Sequence, residues 1–238
     1  MKLRQYLILF SLLVPMSIMA QVGEERTDFS IGVTSGVTIN TMDFQPRIKQ
    51  KSKTSPMYGV AARYICEKYF STICGVEVEL LYQNLGWQEL IEDGTQNQYT
   101  RNLHYVQLPL LMQMGWGRER RGMKFIFEAG PQFGYYLNGT EDFGGEQPWD
   151  PSHRPNGING QYGMELDHKF DYGITGGIGL ELSTGIGHFL LQGRYYYGLS
   201  DIYDNSKGSY FARSANQTIN VKLTYLFDIV KTKNDKIK

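Results

Sequence analysis

Between Phe170 and Phe227 the chain switches chemistry at every residue. Tyr172, Ile174, Ile178, Leu180 and Leu182 alternate with Asp171, Thr175, Gly177, Gly179 and Glu181. Phe189, Leu191, Tyr195, Tyr197 and Leu199 form a second such run, interleaved with Gln192, Arg194, Tyr196 and Gly198. A third sets Ile219, Val221, Leu223, Tyr225 and Phe227 against Asn220, Lys222 and Thr224. A period of two places each set on one face of a strand. Each apolar face is long enough to cross a bilayer, which takes roughly 9–11 tilted residues. The opposite face carries charges and small side chains. The pattern predicts strands whose apolar face meets hydrocarbon and whose polar face lines an enclosed interior.

The same alternation recurs upstream, over about 29–39, 58–67, 73–83, 106–113 and 125–135. Eight strands result, and the connections between them alternate long and short. The expected long ones are a basic loop with Arg47, Lys49, Lys51 and Lys53, then Gln88 to Arg101, Asn138 to Lys169 and Asp204 to Asn216. The predicted fold is all-β: an eight-stranded antiparallel up-and-down transmembrane β-barrel, with turns and both termini on one side. A soluble lipocalin-like barrel alternates too, with its faces exchanged. Two features favour the membrane version. Arg63, Glu77, Glu79, Glu128, Glu181, Arg194 and Lys222 share one phase, opposite the apolar one. Tyr and Phe gather near strand ends, as an interfacial girdle does. Pro109 cannot donate to a ladder, so a bulge or irregularity is expected there.

Lys2 and Arg4 precede an apolar run from Tyr6 to Met19, and Ala20 precedes a polar stretch. This predicts a signal peptide over 1–20, a barrel domain over 21–230 and a charged tail over 231–238. Without Met1–Ala20, which holds two basic residues and no acid, 22 Lys+Arg face 24 Asp+Glu, a net charge of −2. Such a balance excludes a nucleic-acid partner, which calls for a basic excess. Export to the bacterial outer membrane, with membrane lipid as the first partner, is the expected location. Cys66 and Cys74 flank an expected tight turn from Lys68 to Thr72. A disulfide between them and two free thiols are both open readings in an exported chain.

An eight-stranded barrel has an interior that side chains just fill. Its charges must therefore pair. Arg63, Arg194 and Lys222 are the candidate cations, and Glu77, Glu79, Glu128, Glu181 and Asp171 the candidate anions. The structural expectation is a polar plug that seals the lumen. The functional alternative is a proton or ion path along it. His104, His153, His168 and His188 form no metal-binding spacing, and no Gly-x-Ser-x-Gly elbow, phosphate loop or dinucleotide fingerprint appears. No cofactor is expected. His153 and His168 share the longest loop with several acids, which reads as a solvated segment. His168 and Asp171 approach the expected outer rim, with Ser200 and Asp201 on the neighbouring strand. Lipid A deacylases and omptin-like proteases place His with Ser or Asp at such a rim. Residue type without geometry does not make an active site, so the chain is read as non-enzymatic.

Tyr105-Val106-Gln107-Leu108-Pro109-Leu110-Leu111 resembles a wall strand of the PorT-type outer-membrane β-barrel proteins of Bacteroidetes. Glu128-Ala129-Gly130-Pro131-Gln132-Phe133-Gly134-Tyr135-Tyr136-Leu137 and Phe170-Asp171-Tyr172-Gly173-Ile174-Thr175-Gly176-Gly177-Ile178-Gly179 resemble two further strands of that family. Tyr195-Tyr196-Tyr197-Gly198-Leu199 and Tyr225-Leu226-Phe227 also match in place. The resemblance spans nearly the whole chain after residue 20 and implies an outer-membrane barrel. The family's namesake is linked to protein export by the type IX secretion system. That implies other envelope or secretion proteins as partners. The shared motifs build the wall and carry no catalytic residues. The alternative role is a structural or adhesive surface barrel of OmpA/OmpX type.

Overall fold

The computed structural model describes residues 23–145, 149–152, 154 and 157–232. The expected signal peptide, His153, and 233–238 of the expected tail lie outside them. The strands are β1 (Glu24–Gln45), β2 (Gln50–Lys51), β3 (Lys53–Tyr69), β4 (Thr72–Glu89), β5 (Gln98–Gly117), β6 (Gly122–Gly144), β7 (Phe170–Ser183), β8 (His188–Gly198) and β9 (Arg213–Val230). All neighbours pair antiparallel. β1 lies between β3 and β9, and the β4–β5 pairing closes the ring. Eight long strands thus make a closed barrel with no free wall edge at its waist, while β2 is a short patch on the end of β4.

Side chains sort by phase as the alternation requires. Val33 is 59% exposed on the outer wall and Met112 72%, whereas Glu77 and Glu128 are fully buried inside. The outward aromatics form two belts. Tyr58, Tyr82, Tyr135, Tyr172 and Tyr197 ring the loop end; Tyr69, Phe70, Trp116, Phe125 and Phe227 ring the turn end. Amphipathic rings at both limits of an apolar band mark the two membrane interfaces. The turns are tight: 70–71, 118–121 and 184–187.

One expectation needs correction and two readings are refined. First, several strands overrun their predicted limits on the loop side. Of the stretch 88–101, only 90–97 is loop; the longest connection is 145–169; β9 begins at Arg213; and Lys51 and Lys53 stand in strands. Second, the expected irregularity at Pro109 is a gap and not a bulge: the β4–β5 pairing passes from Val78↔Leu110 to Leu81↔Gln107 without pairing Pro109, while the register toward β6, where Pro109 faces Gln132, is kept. The register shift between β5 and β6 falls further along, at His104/Tyr105. Proline has no amide hydrogen to donate, so a ladder can lose a link there without an inserted residue. Third, Cys66 and Cys74 are both free. A bulge between Ile65 and Glu67 leaves Cys66 without a register partner, and its Sγ donates to the Cys74 carbonyl at 3.4 Å. Denatured, unreduced protein is therefore expected to titrate two thiols per chain with a maleimide or disulfide reagent. A value of zero would restore the disulfide.

The overrun strands carry a second core. On their loop-side extensions the inward phase turns apolar. Met42 and Phe44 of β1, Leu85 and Trp87 of β4, and Tyr99, Leu103 and Tyr105 of β5 are buried, and Ile202, Tyr203 and Phe211 join them from the 199–212 connection. The outward phase there is Thr41, Asp43, Asn84, Gln88, Thr100 and Asn102. The physical cause is the change of solvent. Lipid surrounds the lower wall and rewards apolar side chains outside; water surrounds the upper wall and rewards them inside. Gly86, at φ 107°, lets β4 bend over this core, in a conformation that L side chains rarely adopt. A Cβ at that position would lie 2.1 Å from the Arg101 carbonyl oxygen.

Candidate functional site

The lumen is filled in layers. At its centre Arg194 of β8 reaches three carboxylates. Its Nη2 donates to Glu77 at 3.1 Å, Nη1 donates to Glu79 at 2.5 Å, and Nε donates to Glu128. Lys222 of β9 pairs with Glu79 and lies 3.9 Å from Glu77. Gln113 donates to Glu77 at 3.0 Å, and Gln192 to Glu128 at 2.9 Å. The guanidinium geometry matters here. Five donors in a planar fork can serve several carboxylates at once, which an ammonium cannot do with the same directionality. Glycines make the room. A Cβ at Gly177 would stand 2.7 Å from the Arg194 Cγ, and one at Gly36 would stand 2.8 Å from the Lys222 Cβ.

A second cluster sits nearer the turn end. Arg63 donates to Glu181 at 2.7 Å, Lys124 lies 3.0 Å from the same carboxylate, and His188 Nδ1 lies 2.7 Å from it. His188 Nε2 is 3.0 Å from Asp228, which also accepts the Ser30 hydroxyl at 2.5 Å. Below this, the turn 118–121 carries Glu119, bonded by Arg26 at 2.8 Å and Lys68 at 2.6 Å. Burial pushes the Glu119 carboxyl up, but the hydrogen bonds from Arg26 and Lys68 outweigh it and hold the group below the usual carboxylate value.

Asp171 belongs to neither cluster. It lies high in the lumen, accepting from Ser200 Oγ at 2.5 Å and Asn216 Nδ2 at 3.1 Å, with no cation paired to it among the described residues. The expected pairing of Asp171 with an interior cation is thus not made, because the cations sit lower. Lys124, His188, Gln113 and Asp228 are lumen members that the sequence reading left out. The signal was present. Lys124 and Asp228 continue the inward phases of Glu128 and Lys222.

Above Asp171 the aromatic core closes the mouth. Trp87 meets Phe44 edge-on, with ring centroids 4.9 Å apart, and Phe44 meets Phe211 at 5.0 Å. Tyr99, Trp149 and Tyr162 form a triangle of ring contacts, Tyr162 meeting both others edge-on, that ties the 145–169 connection to β5. Arg154 pins the same connection. It pairs with Asp93, donates to Tyr162 Oη at 2.9 Å, and lies 4.9 Å from the Trp149 ring centroid. Tyr162 in turn donates to Glu89 at 2.7 Å. Burial raises the Glu89 carboxyl above its ordinary value despite that bond.

The rim residues do not assemble a nucleophile. Ser200 Oγ donates to Asp171 and accepts the Tyr172 amide at 2.9 Å. Asp201 accepts the Ser214 amide at 2.6 Å and the Asn205 side chain at 2.9 Å. His168 is held through its backbone, which donates to the Ile202 carbonyl at 3.1 Å. No hydrogen bond joins Ser200 to His168 among the described residues.

Among curated proteins, none matches the chain in sequence. Solved barrels resemble it at low identity. Neisserial surface protein A is 9% identical with a TM-score of 0.45, the alignment covering 87% of this chain and 100% of that one. The N-terminal β-barrel domain of Pseudomonas aeruginosa OprF is 11% identical (TM-score 0.40; 86% and 100% covered), as is OprG from the same organism (TM-score 0.41; 87% and 95%). The family model described as outer membrane protein beta-barrel domain matches residues 19–204, which take in β1 to β8 and end ahead of β9. With apolar residues outside, charges inside and belts at both limits, the chain belongs to the outer membrane protein β-barrel domain family, and its place is the bacterial outer membrane.

Proposed function

We propose that this protein is a non-enzymatic, non-conducting surface barrel that holds a folded cap above the outer membrane for partner binding. The carrying observation is the cap itself. Loops left free to wave would suffice for a wall protein. Here the loop-side extensions and two long connections share one aromatic core, which costs chain entropy to order. A rigid, preorganised surface binds with less entropy loss than a mobile one. Layers of paired charge fill the lumen below the cap, leaving it as packing rather than as a path. The resemblance to PorT-type proteins supports the membrane wall, but its motifs lie in strands and carry no partner chemistry, so the export role stands as the second reading.

The two roles differ in which end meets a partner. Photo-crosslinking residues placed singly at exposed positions of the cap (Lys207, Asn159) and of the turn end (Arg121, Ile186) distinguish them in intact cells. The surface-barrel reading expects specific adducts from the cap positions alone. Adducts from the turn end alone would overturn it in favour of an export or assembly accessory. Planar-bilayer recording of the refolded chain is expected to show no stable single-channel step; an ohmic channel would remove the sealed-lumen part.

A further inference from the structure

The barrel wall is not of one height. β5 and β6 run for 20 and 23 residues, but β7 and β8 for only 14 and 11. β7 starts at Phe170, opposite Tyr135 of β6, and the β7–β8 ladder ends at Gly173↔Gly198. On this side the wall therefore stops at the outer aromatic belt. A cleft of about 660 Å³ opens there, bordered by the segments before β7 and after β8. Pockets of this size suit a small-molecule headgroup.

The cleft has two chemically distinct sides. Tyr135, Phe170 and Tyr172 form the membrane-side wall. Phe170 stacks near Phe133 at 6.1 Å and 21°, and lies 6.2 Å from Tyr172, so the aromatic faces make an ordered platform. The water side carries His168, Lys169 and Asn205. The acids nearby are already engaged by neutral donors. Asp201 takes the Ser214 amide and the Asn205 side chain, and Asp167 takes the Asp204 amide at 2.8 Å. The Lys169 ammonium is different. Arg63, Lys124, Arg194 and Lys222 inside the lumen are each paired with a carboxylate, whereas Lys169 has no side-chain partner among the described residues. Its position at the lipid headgroup level suits an anionic lipid.

We propose that this cleft binds the sugar headgroup of an anionic outer-leaflet glycolipid. The apolar C–H face of a sugar ring lies on the Phe170 and Tyr172 platform, as ligands with one apolar and one polar side require. An acidic substituent of the sugar, such as a phosphate, pairs with Lys169. The acyl chains run down the outer wall past Ile174 and Tyr197. A soluble sugar would gain nothing from that wall, so the source is the membrane. The inference rests on outer-membrane placement and not on the cap as a partner surface.

The test uses the full chain purified in mild detergent, with native mass spectrometry as readout. Lipid A, a phosphorylated glucosamine disaccharide with acyl chains, is the probe, and phosphatidylglycerol the anionic comparison. The wild type is expected to retain lipid A in preference to phosphatidylglycerol. Lys169→Gln should weaken retention about tenfold, the size of one charge-assisted hydrogen bond. Tyr172→Ala should weaken it further, while Tyr225→Ala, at the opposite belt, should leave it unchanged. Heat-modifiable gel mobility verifies the fold of each variant; both altered side chains are exposed, and Lys169→Gln alone decides the matter should Tyr172→Ala misfold. Equal retention of phosphatidylglycerol, or unchanged lipid A retention by Lys169→Gln, would overturn the proposal. Soluble glucosamine 1-phosphate competing at the same concentration as lipid A would overturn the membrane source. A loss of lipid A retention with cap crosslinking intact would leave the surface-barrel reading untouched.

Discussion

Replacing Arg194 by Met is expected to destabilise the barrel by about 3–5 kcal/mol, the range for breaking a buried ion pair by removing one partner. Arg194 is the cation that three buried carboxylates share. Without it Lys222 alone remains beside Glu77 and Glu79, and Glu128 keeps only neutral amide donors. An eight-stranded interior that side chains just fill leaves little room for water to compensate. Urea titration of the barrel refolded into lipid vesicles measures the change through the midpoint at constant slope. The charge logic has its own control. Arg194→Met combined with Glu77→Gln and Glu128→Gln leaves one cation facing one carboxylate, and is expected to recover most of the lost stability. If the single variant matched the wild type, or the triple variant fell further, the network would not be what holds the lumen together.

Trp87→Ala is expected to have a comparable cost, about 3–5 kcal/mol for a large aromatic removed from a filled core, but in a different place. Trp87 is fully buried in the cap and touches Phe44 and Tyr99. Nothing in the central charge cluster touches it. The predicted consequence is a cap that opens while the membrane wall persists. Limited proteolysis of the refolded protein should then cut within 145–169 at least tenfold faster than in the wild type. The unheated gel band should keep its fast mobility. Met112→Ala is the matched control, since Met112 faces lipid rather than a packed core. Equal cleavage rates in Trp87→Ala and wild type would show that the cap is not a cooperative unit.

The wall was readable from sequence because period-two alternation survives in every strand, and bilayer crossing sets a minimum length. Most of the lumen was readable for the same reason. Arg63, Glu77, Glu79, Glu128, Glu181, Arg194 and Lys222 all lie in the inward phase and all meet a partner of opposite charge. Alternation reports the face, however, and not the height. Asp171 shares the phase of Glu181 but stands a few residue pairs nearer the cap, beyond the reach of the cations. The cap stayed hidden for a related reason. Apolar residues were equated with lipid on every strand, so Tyr99 read as loop and Leu85, Trp87 and Leu103 fell outside the expected strands. Continuing the phase from Gln83 through Leu85 to Trp87, or from Gln107 back through Tyr105 to Leu103, places them inside. The bulge at Ile65/Glu67 had no comparable signal. One inserted residue leaves the local composition unchanged while altering what Cys66 faces.

The switch in the outward face from apolar to polar gives the molecule a waterline. The apolar band of such barrels is about 25 Å tall. β1 continues for six residues past Ile39, which at about 3.3 Å per residue and a strand tilt near 40° lifts its end roughly 15 Å above the outer belt. Sinking the barrel by one residue pair would drag Asp43, Asn84 and Asn102 toward hydrocarbon. Raising it would bring Val37 and Ile219, apolar and exposed near the outer limit of the band, toward water. Both displacements are opposed, so the draught of the barrel is set by its own side chains. The cap is thereby carried clear of the lipid headgroups, at the height where a visiting macromolecule first meets the cell.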